Sequence, residues 1–337
     1  MKEITTIGID LAKNVFHVHG VDRSGHTVLE KRLGRGGLEK LMRNLPPCLV
    51  GMETCGGAHH WARMFQGFGH EVRLMAGQFV KPFVISNKND KIDAQAICEA
   101  VGRPKMRYVA VKRLEQQDIL SWHRIRERRV RQRTALVNEI RGLLQEFGIV
   151  FAQGVSRFEI GLKGLLAEED LRLPLREFLE DLWKEYQVLN ERVVQGTRRI
   201  EQYAKANERC QRIMKIPGVG ALTASAMEAS IGNPHVFARG RHVSAWLGLV
   251  PRQHSTGGKT RLLGISKRGD RYLRYLLIHG ARAALIHAPK KKDRTSRWVV
   301  EVAQRRGNNK ACVALANKNA RRIWAVLATD QPYREAA

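Results

Sequence analysis

The strongest constraint on the fold lies in the N-terminal 32 residues, where three short runs rich in β-branched residues follow one another with little more than turn-forming residues between them. Ile4 to Asp10, Val15 to Val21 and Thr27 to Arg32 have strand character, and Asp22 to Gly25 supplies turn chemistry that sends the chain back on itself. The pattern predicts a three-stranded antiparallel meander. Helical spacing from Leu38 to Leu45, an apolar strand from Cys48 to Met52, a helix from Ala58 to Phe68 and a strand from Glu71 to Met75 then follow.

A meander followed by strand and helix alternation is the element order of an α/β RNase H-like domain. Carboxylates fall at its strand ends. Asp10 closes the first strand after Gly8, whose lack of a side chain lets another element approach, and Glu53 follows the apolar run Leu49-Val50-Gly51-Met52. Asp90 and Asp93 stand three residues apart in the helix-forming stretch DKIDAQA and therefore share one helix face. One reading makes Asp90 an N-cap and Asp93 its acidic partner in the first turn. The other makes all four acids one cluster, since hard oxygen ligands from separate elements are what Mg²⁺ requires and unneutralised carboxylates would repel.

Beyond about Val111 the sequence turns helical and highly charged. Leu136, Ile140, Leu143 and Phe147 repeat at helical spacing, and Leu179, Leu182, Tyr186, Leu189, Val193, Gly196, Ile200 and Tyr203 keep the three-four step of a heptad seam. Glycines and Pro174 between the two arms predict a reversal into an antiparallel coiled coil. Four segments result: an α/β domain over 1–110, a helical connector over 111–209, a mainly α domain over 210–330 and a tail over 331–337.

The charge points to a polyanionic partner. The 337 residues carry a formal net charge of +27, and between residues 211 and 330 lysine and arginine number 23 against five acids. Nucleic acid is the partner such a surface fits. Cys48, Cys55, Cys98, Cys210 and Cys312 are scattered with no C-x-x-C pair, which excludes a zinc ribbon and predicts a reduced chain. No stretch approaches the length of a membrane span and no apolar leader opens the sequence, so a cytoplasmic location is expected.

Within the basic part, Pro251 to Arg274 reads PRQHSTGGKTRLLGISKRGDRYLR, placing Ser255 and Thr256 before Gly257-Gly258 among cations. A hydroxyl so placed suits a nucleophile that approaches a phosphodiester, and it equally suits a loop that only clamps phosphate. It is not a Walker A loop. Arg252, Lys259, Arg261, Lys267, Arg268 and Arg271 are the candidate phosphate contacts. His254 is a candidate proton acceptor for Ser255. Ile216-Pro217-Gly218-Val219-Gly220 reads either as a phosphate-binding hairpin turn or as a plain structural one. Trp246 and Trp298 suit the core better than a stacking surface. His59, His60 and His279 have no metal-ligand spacing.

The strings GIDLAK, GMET, DKIDAQA, PGVG and GLVPRQHSTGGKTRLLGISKRGDRYLR together resemble the DEDD transposases of bacterial insertion sequences, family 110 and its 1111 subgroup, regarded as bridge-RNA-guided recombinases. The resemblance covers nearly the whole chain. It implies a RuvC-like N-terminal domain, a coiled-coil connector and a C-terminal transposase domain. It also implies Mg²⁺ at Asp10, Glu53, Asp90 and Asp93, and a serine that attacks DNA to form a transient phosphoserine linkage. Implied partners are the DNA of the element ends and target, a structured guide RNA, and further copies of the chain as dimers pairing into a tetramer, in a bacterial, nucleoid-associated setting. Family members with a single serine before the glycine align with Thr256, so the nucleophile lies between Ser255 and Thr256. Ser255 is preferred as the less hindered primary hydroxyl. The alternatives are a RuvC-like nuclease that uses water and a nucleic-acid scaffold without catalysis.

Overall fold

A computed structural model describes residues 3–85 and 89–334. The chain divides into two units, one of Met1–Arg113 with Ile231–Ala238 and the other of Leu114–Ser230 with Arg239–Ala337. In the first, β1 (Thr6–Leu11), β2 (Val15–Val21) and β3 (Thr27–Gly34) form the expected antiparallel meander. Helix α1 (Arg35–Asn44), β4 (Leu49–Glu53), α2 (Ala58–Gly67) and β5 (Glu71–Met75) follow, then a single turn α3 (Gly77–Val80), α4 (Asp90–Val101) and the short β6 (Tyr108–Val109). The sheet order is β3-β2-β1-β4-β5-β6, with β1/β4 and β4/β5 parallel and the other pairs antiparallel. This mixed sheet, with helices on both faces, is the RNase H-like arrangement.

Strand alternation assigns the two faces. Ile7, Ile9 and Leu11 of β1, Phe16 and Val18 of β2, and Val50 and Met52 of β4 meet Leu38 and Met42 of α1 and Trp61, Ala62 and Phe65 of α2 in one core. The opposite face receives α4, and glycine makes its approach possible. Gly8 of β1 is paired with Gly51 of β4 across the parallel register. A Cβ on Gly8 would lie 2.2 Å from the Ala94 carbonyl oxygen and 2.3 Å from the Cys98 nitrogen, and one on Gly51 would lie 2.7 Å from Val101 Cβ. The backbone of α4 therefore rests directly on the sheet. Its residues that contact β1, Ala94 and Cys98, are small and buried, and the Cys98 thiol is pushed up to about 12 by that burial.

The second unit begins with α5 (Leu114–Gln145), α6 (Val155–Ala167) and α7 (Leu173–Ala206). Helices α5 and α7 run antiparallel, as the pairs Arg126–Thr197 (2.7 Å) and Arg133–Asn190 (2.5 Å) show. On α7 the residues Leu179, Tyr186, Leu189, Val193, Gly196 and Ile200 are buried, while Leu182 and Tyr203 are half-buried. The first arm departs from the expected stripe: Leu136, Val137, Ile140 and Leu144 are buried, whereas Leu143 and Phe147 are exposed. Leu144, four residues after Ile140, continues the inward face, and Phe147 lies past the helix end, with its ring 6.2 Å from that of Phe178.

The remainder comprises α8 (Glu208–Met214), α9 (Ala221–Ile231), α10 (Gly240–Trp246), an antiparallel hairpin of β7 (Pro251–Thr256) and β8 (Lys259–Ile265), then α11 (Arg271–His287), α12 (Arg294–Arg306) and α13 (Asn308–Thr329). Helix α13 forms the centre, burying Ala311, Cys312, Leu315, Ala316, Asn319, Ala320, Ile323, Val326 and Leu327. The Ile216-Gly220 turn is seated on α11, where Gly218 (φ +82°) and Gly280 pack backbone to backbone, and Asn319 donates from Nδ2 to the Pro217 carbonyl at 2.8 Å. Buried His123 links α5 to α9 and α11. The Ser225 hydroxyl donates to the Ala221 carbonyl (2.7 Å), so it accepts from His123 Nε2 (3.0 Å), leaving Nδ1 to accept from the Tyr272 hydroxyl (2.9 Å). Burial pushes His123 down to about 4, in keeping with a neutral ring. Trp246 and Trp298 are half-buried, and the Lys318 ammonium lies 4.4 Å from the centre of the Trp298 ring. No helix among the described residues is long and apolar enough to cross a membrane. Of the expected tail, 335–337 lie outside the described residues.

The glycine contact gives a direct test. Gly8→Ala forces α4 off β1 and is expected to cost about 2 kcal/mol or more in unfolding free energy, measured by chemical denaturation. Gly36→Ala in α1, where an added Cβ meets nothing within 4 Å, is expected to be neutral or to stabilise by about 0.5–1 kcal/mol.

Candidate active site

The pattern Gly-x-acid occurs on both central strands, as Gly8-Ile9-Asp10 and Gly51-Met52-Glu53. Period-two alternation puts each acid on the same face as its glycine, two residues further along a parallel pair of strands. Helix α4 crosses the glycines, and its first turn carries Asp90 and Asp93 to the same end of the sheet. The Asn89 side chain caps that helix, accepting from the Lys91 amide at 3.0 Å, and the Asp93 amide donates to the Asn89 carbonyl at 2.9 Å. Asp90 is thus not the N-cap. With the cap supplied by Asn89, both acids have their carboxylates available to the cluster.

Asp10, Asp90 and Asp93 each offer an oxygen within 4.8 Å of the others, the one such group of potential metal ligands among the described residues. Glu53 falls outside this tight trio but belongs to the same electrostatic cluster. Asp10 is pushed up to about 6, first by burial, then by Asp93, Asp90 and Glu53, with His17 pulling the other way. Glu53 is raised too, by burial and then by Asp93. Repulsion between ionised carboxylates at such separations is on the order of a few kcal/mol near a protein surface. Hard oxygens from a strand and a helix, converging where charge is already crowded, fit a divalent cation.

Three neighbours carry no marked signal in the sequence. His17 stands opposite Asp10 in the β1/β2 register and places Nε2 3.8 Å from Asp90 Oδ2. The register of the meander, counted back through its tight turn, could have found it. Gly77 lies so close to Glu53 that an added Cβ would sit 2.1 Å from Oε1, so the absence of a side chain there leaves room for the carboxylate. The exposed Cys55 has its thiol raised by burial, then by Asp10 and Glu53. The Lys91 ammonium, 2.8 Å from Glu30 Oε2, ties the first turn of α4 to β3. Half-buried His59 lies elsewhere on this unit, accepting the Lys112 amide at Nδ1 (3.2 Å), and is pushed down to about 4 by burial, Lys112 and Arg63.

In the second unit, Ser255 and Thr256 end β7 of an exposed hairpin closed by Gly257 and Gly258, both with positive φ (+55° and +78°). This hairpin replaces the loop read from the sequence. Its signal was the Gly-Gly pair, which favours a two-residue turn with left-handed dihedrals. The base is held firmly: a Cβ on Gly248 would lie 2.1 Å from the Arg268 carbonyl and one on Gly269 1.9 Å from the Trp246 carbonyl. Arg274 bonds the Leu247 carbonyl at 2.9 Å.

The pleat sorts the candidate residues. His254 and Thr256 alternate onto one face, joined across the ladder by Arg261 and Lys259, while Ser255 shares the other face with Gln253, whose Nε2 donates to its hydroxyl at 2.8 Å; Arg252 falls at an irregularity in the ladder. His254 therefore faces away from Ser255 and does not serve as its proton acceptor, because successive residues of a strand point to opposite sides. Lys267, Arg268 and Arg271 are exposed between the hairpin and the start of α11.

The acid cluster sets a pH dependence. Asp10 titrates near 6 in the folded chain against 3.8 unfolded, so the folded state holds more protons between these values and stability falls as pH rises through that window. Without divalent cations, wild type is expected to melt lower at pH 7.5 than at pH 5. Asp10→Asn should flatten that dependence and, after discounting for solvent screening, recover about 1 kcal/mol at pH 7.5 in thermal unfolding.

Comparison with known proteins places this geometry. Residues 7–149 match the DEDD transposase family model of the IS110 type, and residues 210–296 match the model described as Transposase IS116/IS110/IS902 family. The chain is similar to a probable family 20 transposase of Pseudomonas aeruginosa, 51% identical over 98% of this chain and 99% of that one. It is similar to the transposase for insertion sequence element IS1111A of Coxiella burnetii, 49% identical over 99% of this chain and 92% of the relative. The transposase for insertion sequence element IS1328 of Yersinia enterocolitica is 41% identical over 97% of each. The chain belongs to the IS116/IS110/IS902 family of insertion-sequence transposases, enzymes of phosphodiester strand transfer.

Proposed function

We propose that the chain is a Mg²⁺-dependent, RNA-guided DNA recombinase that excises and inserts an insertion sequence through a covalent protein-DNA intermediate. The observation that carries the reading is the convergence of Asp10, Asp90 and Asp93, with Glu53 beside them, at one end of an RNase H-like sheet. Asp10, Glu53, Asp90 and Asp93 would hold the metal, which when bound supplies charge neutralisation and orientation of a phosphate. His17, next to Asp90, assists in holding that carboxylate in place.

Ser255 acts as nucleophile in this reading. Its oxygen forms a bond to phosphorus as the bond to one sugar oxygen breaks. The hydroxyl proton leaves to solvent or base, and the expelled sugar oxygen gains one. Reversal with a different strand end restores a phosphodiester without any redox change. Arg252, Lys259, Arg261, Lys267, Arg268 and Arg271 contact backbone phosphates, with the positive field of the second unit drawing in DNA and guide RNA. Functionally, residues 1–110 supply the carboxylates, 111–209 a coiled-coil connector and 210–330 the nucleophile, in copies that assemble as dimers pairing into a tetramer. A cytoplasmic, nucleoid-associated setting goes with this role.

A second assignment of the nucleophile has its own support: Thr256 shares the pleated face with Lys259 and Arg261, cations that would lie beside an attacked phosphate. Denaturing the protein during turnover on labelled element ends is expected to trap a covalent adduct, lost in Ser255→Ala and kept in Thr256→Ala. The reverse pattern assigns attack to Thr256. Strand exchange with no adduct in wild type would mean that water performs the cleavage. Full activity in Asp10→Asn and Glu53→Gln would leave only nucleic-acid binding.

A further inference from the structure

Helix α13 ends at Asp330 in a left-handed conformation (φ +56°), and Arg212 of α8 holds that end, donating from Nη1 to the Asp330 carbonyl (2.7 Å) and to Oδ1 (2.6 Å). The chain beyond does not trail away. Gln331 to Arg334 fold back toward α12 and α13 and form one wall of an open cavity of about 510 Å³. Its lining combines Arg294, Lys318, Arg322 and Arg334 with the apolar surface of Val326, Pro332 and the Tyr333 ring, and contains no acidic residue among the described residues. Arg322 is held in place by its neighbours. Its guanidinium donates to Thr295 Oγ1 (2.6 Å) and Asn319 Oδ1 (3.4 Å), and it lies 5.0 Å from the Tyr333 ring centre.

We infer that this cavity is a single-strand nucleic-acid subsite that takes one unstacked nucleotide, its phosphate on the four cations and its base against Tyr333 and Pro332. The volume lies in the range of small-molecule pockets and suits a mononucleotide unit. An aromatic wall beside phosphate-binding cations is the combination that single strands need and a duplex, with its bases stacked away, cannot use. The inference rests on the nucleic-acid role proposed above and adds a site for the unpaired strand, whether displaced DNA or guide RNA. The hairpin and the carboxylates take no part in it.

Full-length protein binding to labelled oligothymidylate, oligouridylate and a matched duplex, measured by fluorescence anisotropy across a salt series, tests it. Arg294→Glu with Arg334→Glu is expected to lower single-strand affinity by about tenfold or more and to reduce the salt slope by about 1, leaving the duplex within about twofold. Tyr333→Leu, which alters no charge, should weaken single-strand binding about threefold or more with the slope unchanged. Loss confined to oligothymidylate or to oligouridylate identifies DNA or RNA as the occupant. Equal losses on duplex and single strand, or no loss in either variant, would overturn the subsite. Adduct formation on duplex ends unaffected by these variants would show that such a failure concerns the subsite and not the recombinase reading.

Discussion

Everything at the acidic site depends on how closely one helix lies on one sheet. Two glycines paired across parallel strands remove the side chains that would hold α4 away, and the helix meets them with Ala94, Cys98 and Val101. Ordinary helix-on-sheet packing interposes a layer of side chains. Here the backbone of α4 lies on the backbone of β1, and its N-terminal turn is carried within ligand distance of a strand-borne carboxylate. Each Gly-x-acid string thus does two jobs, a seat for the helix and, two residues on, a carboxylate on the same face.

That closeness has an electrostatic cost that the described residues around it do not remove. Burial and like charge both hold Asp10 toward its protonated form, while His17 offers only partial compensation. Asn89 and Lys91 fix the helix start without neutralising the cluster, since the Lys91 ammonium is engaged by Glu30. Among the described residues, the basic group paired with the trio is a histidine, His17, with Nε2 3.8 Å from Asp90 Oδ2. A site built this way fits a divalent cation. The hairpin of the second unit follows the opposite logic, with an exposed, cation-bearing arm on a base locked by Gly248 and Gly269.

Much of the first unit was legible because each signal was local. The β-branched runs, their turns and the alternation that followed predicted β1 to β5 nearly to the residue, and Gly8 was marked as a place of close approach. What approaches Gly8, and that Gly51 lies beside it, depends on parallel pairing between strands some forty residues apart, which no local pattern encodes. Gly77 escaped because its closeness to Glu53 is likewise a non-local contact, whereas His17 was within reach of the meander register. Asp90 resembles a cap because Asn and Asp suit that position equally and stand side by side here, and only the Asn89 to Lys91 hydrogen bond separates them. The β7/β8 hairpin was missed because both its faces are exposed, so it lacks the apolar alternation by which strands are recognised. In α5 the buried stripe was misplaced by the helix ending at Gln145, before Phe147 could join it.

The central claim is that helix-on-glycine packing assembles a divalent-cation site. Titration of the full chain with Mn²⁺, followed by electron paramagnetic resonance of the free ion, tests it most directly. The account predicts saturable binding that weakens about tenfold or more in Asp10→Asn and in Asp93→Asn, whose carboxylates come from different elements. Binding of equal strength in wild type and in both variants would contradict it.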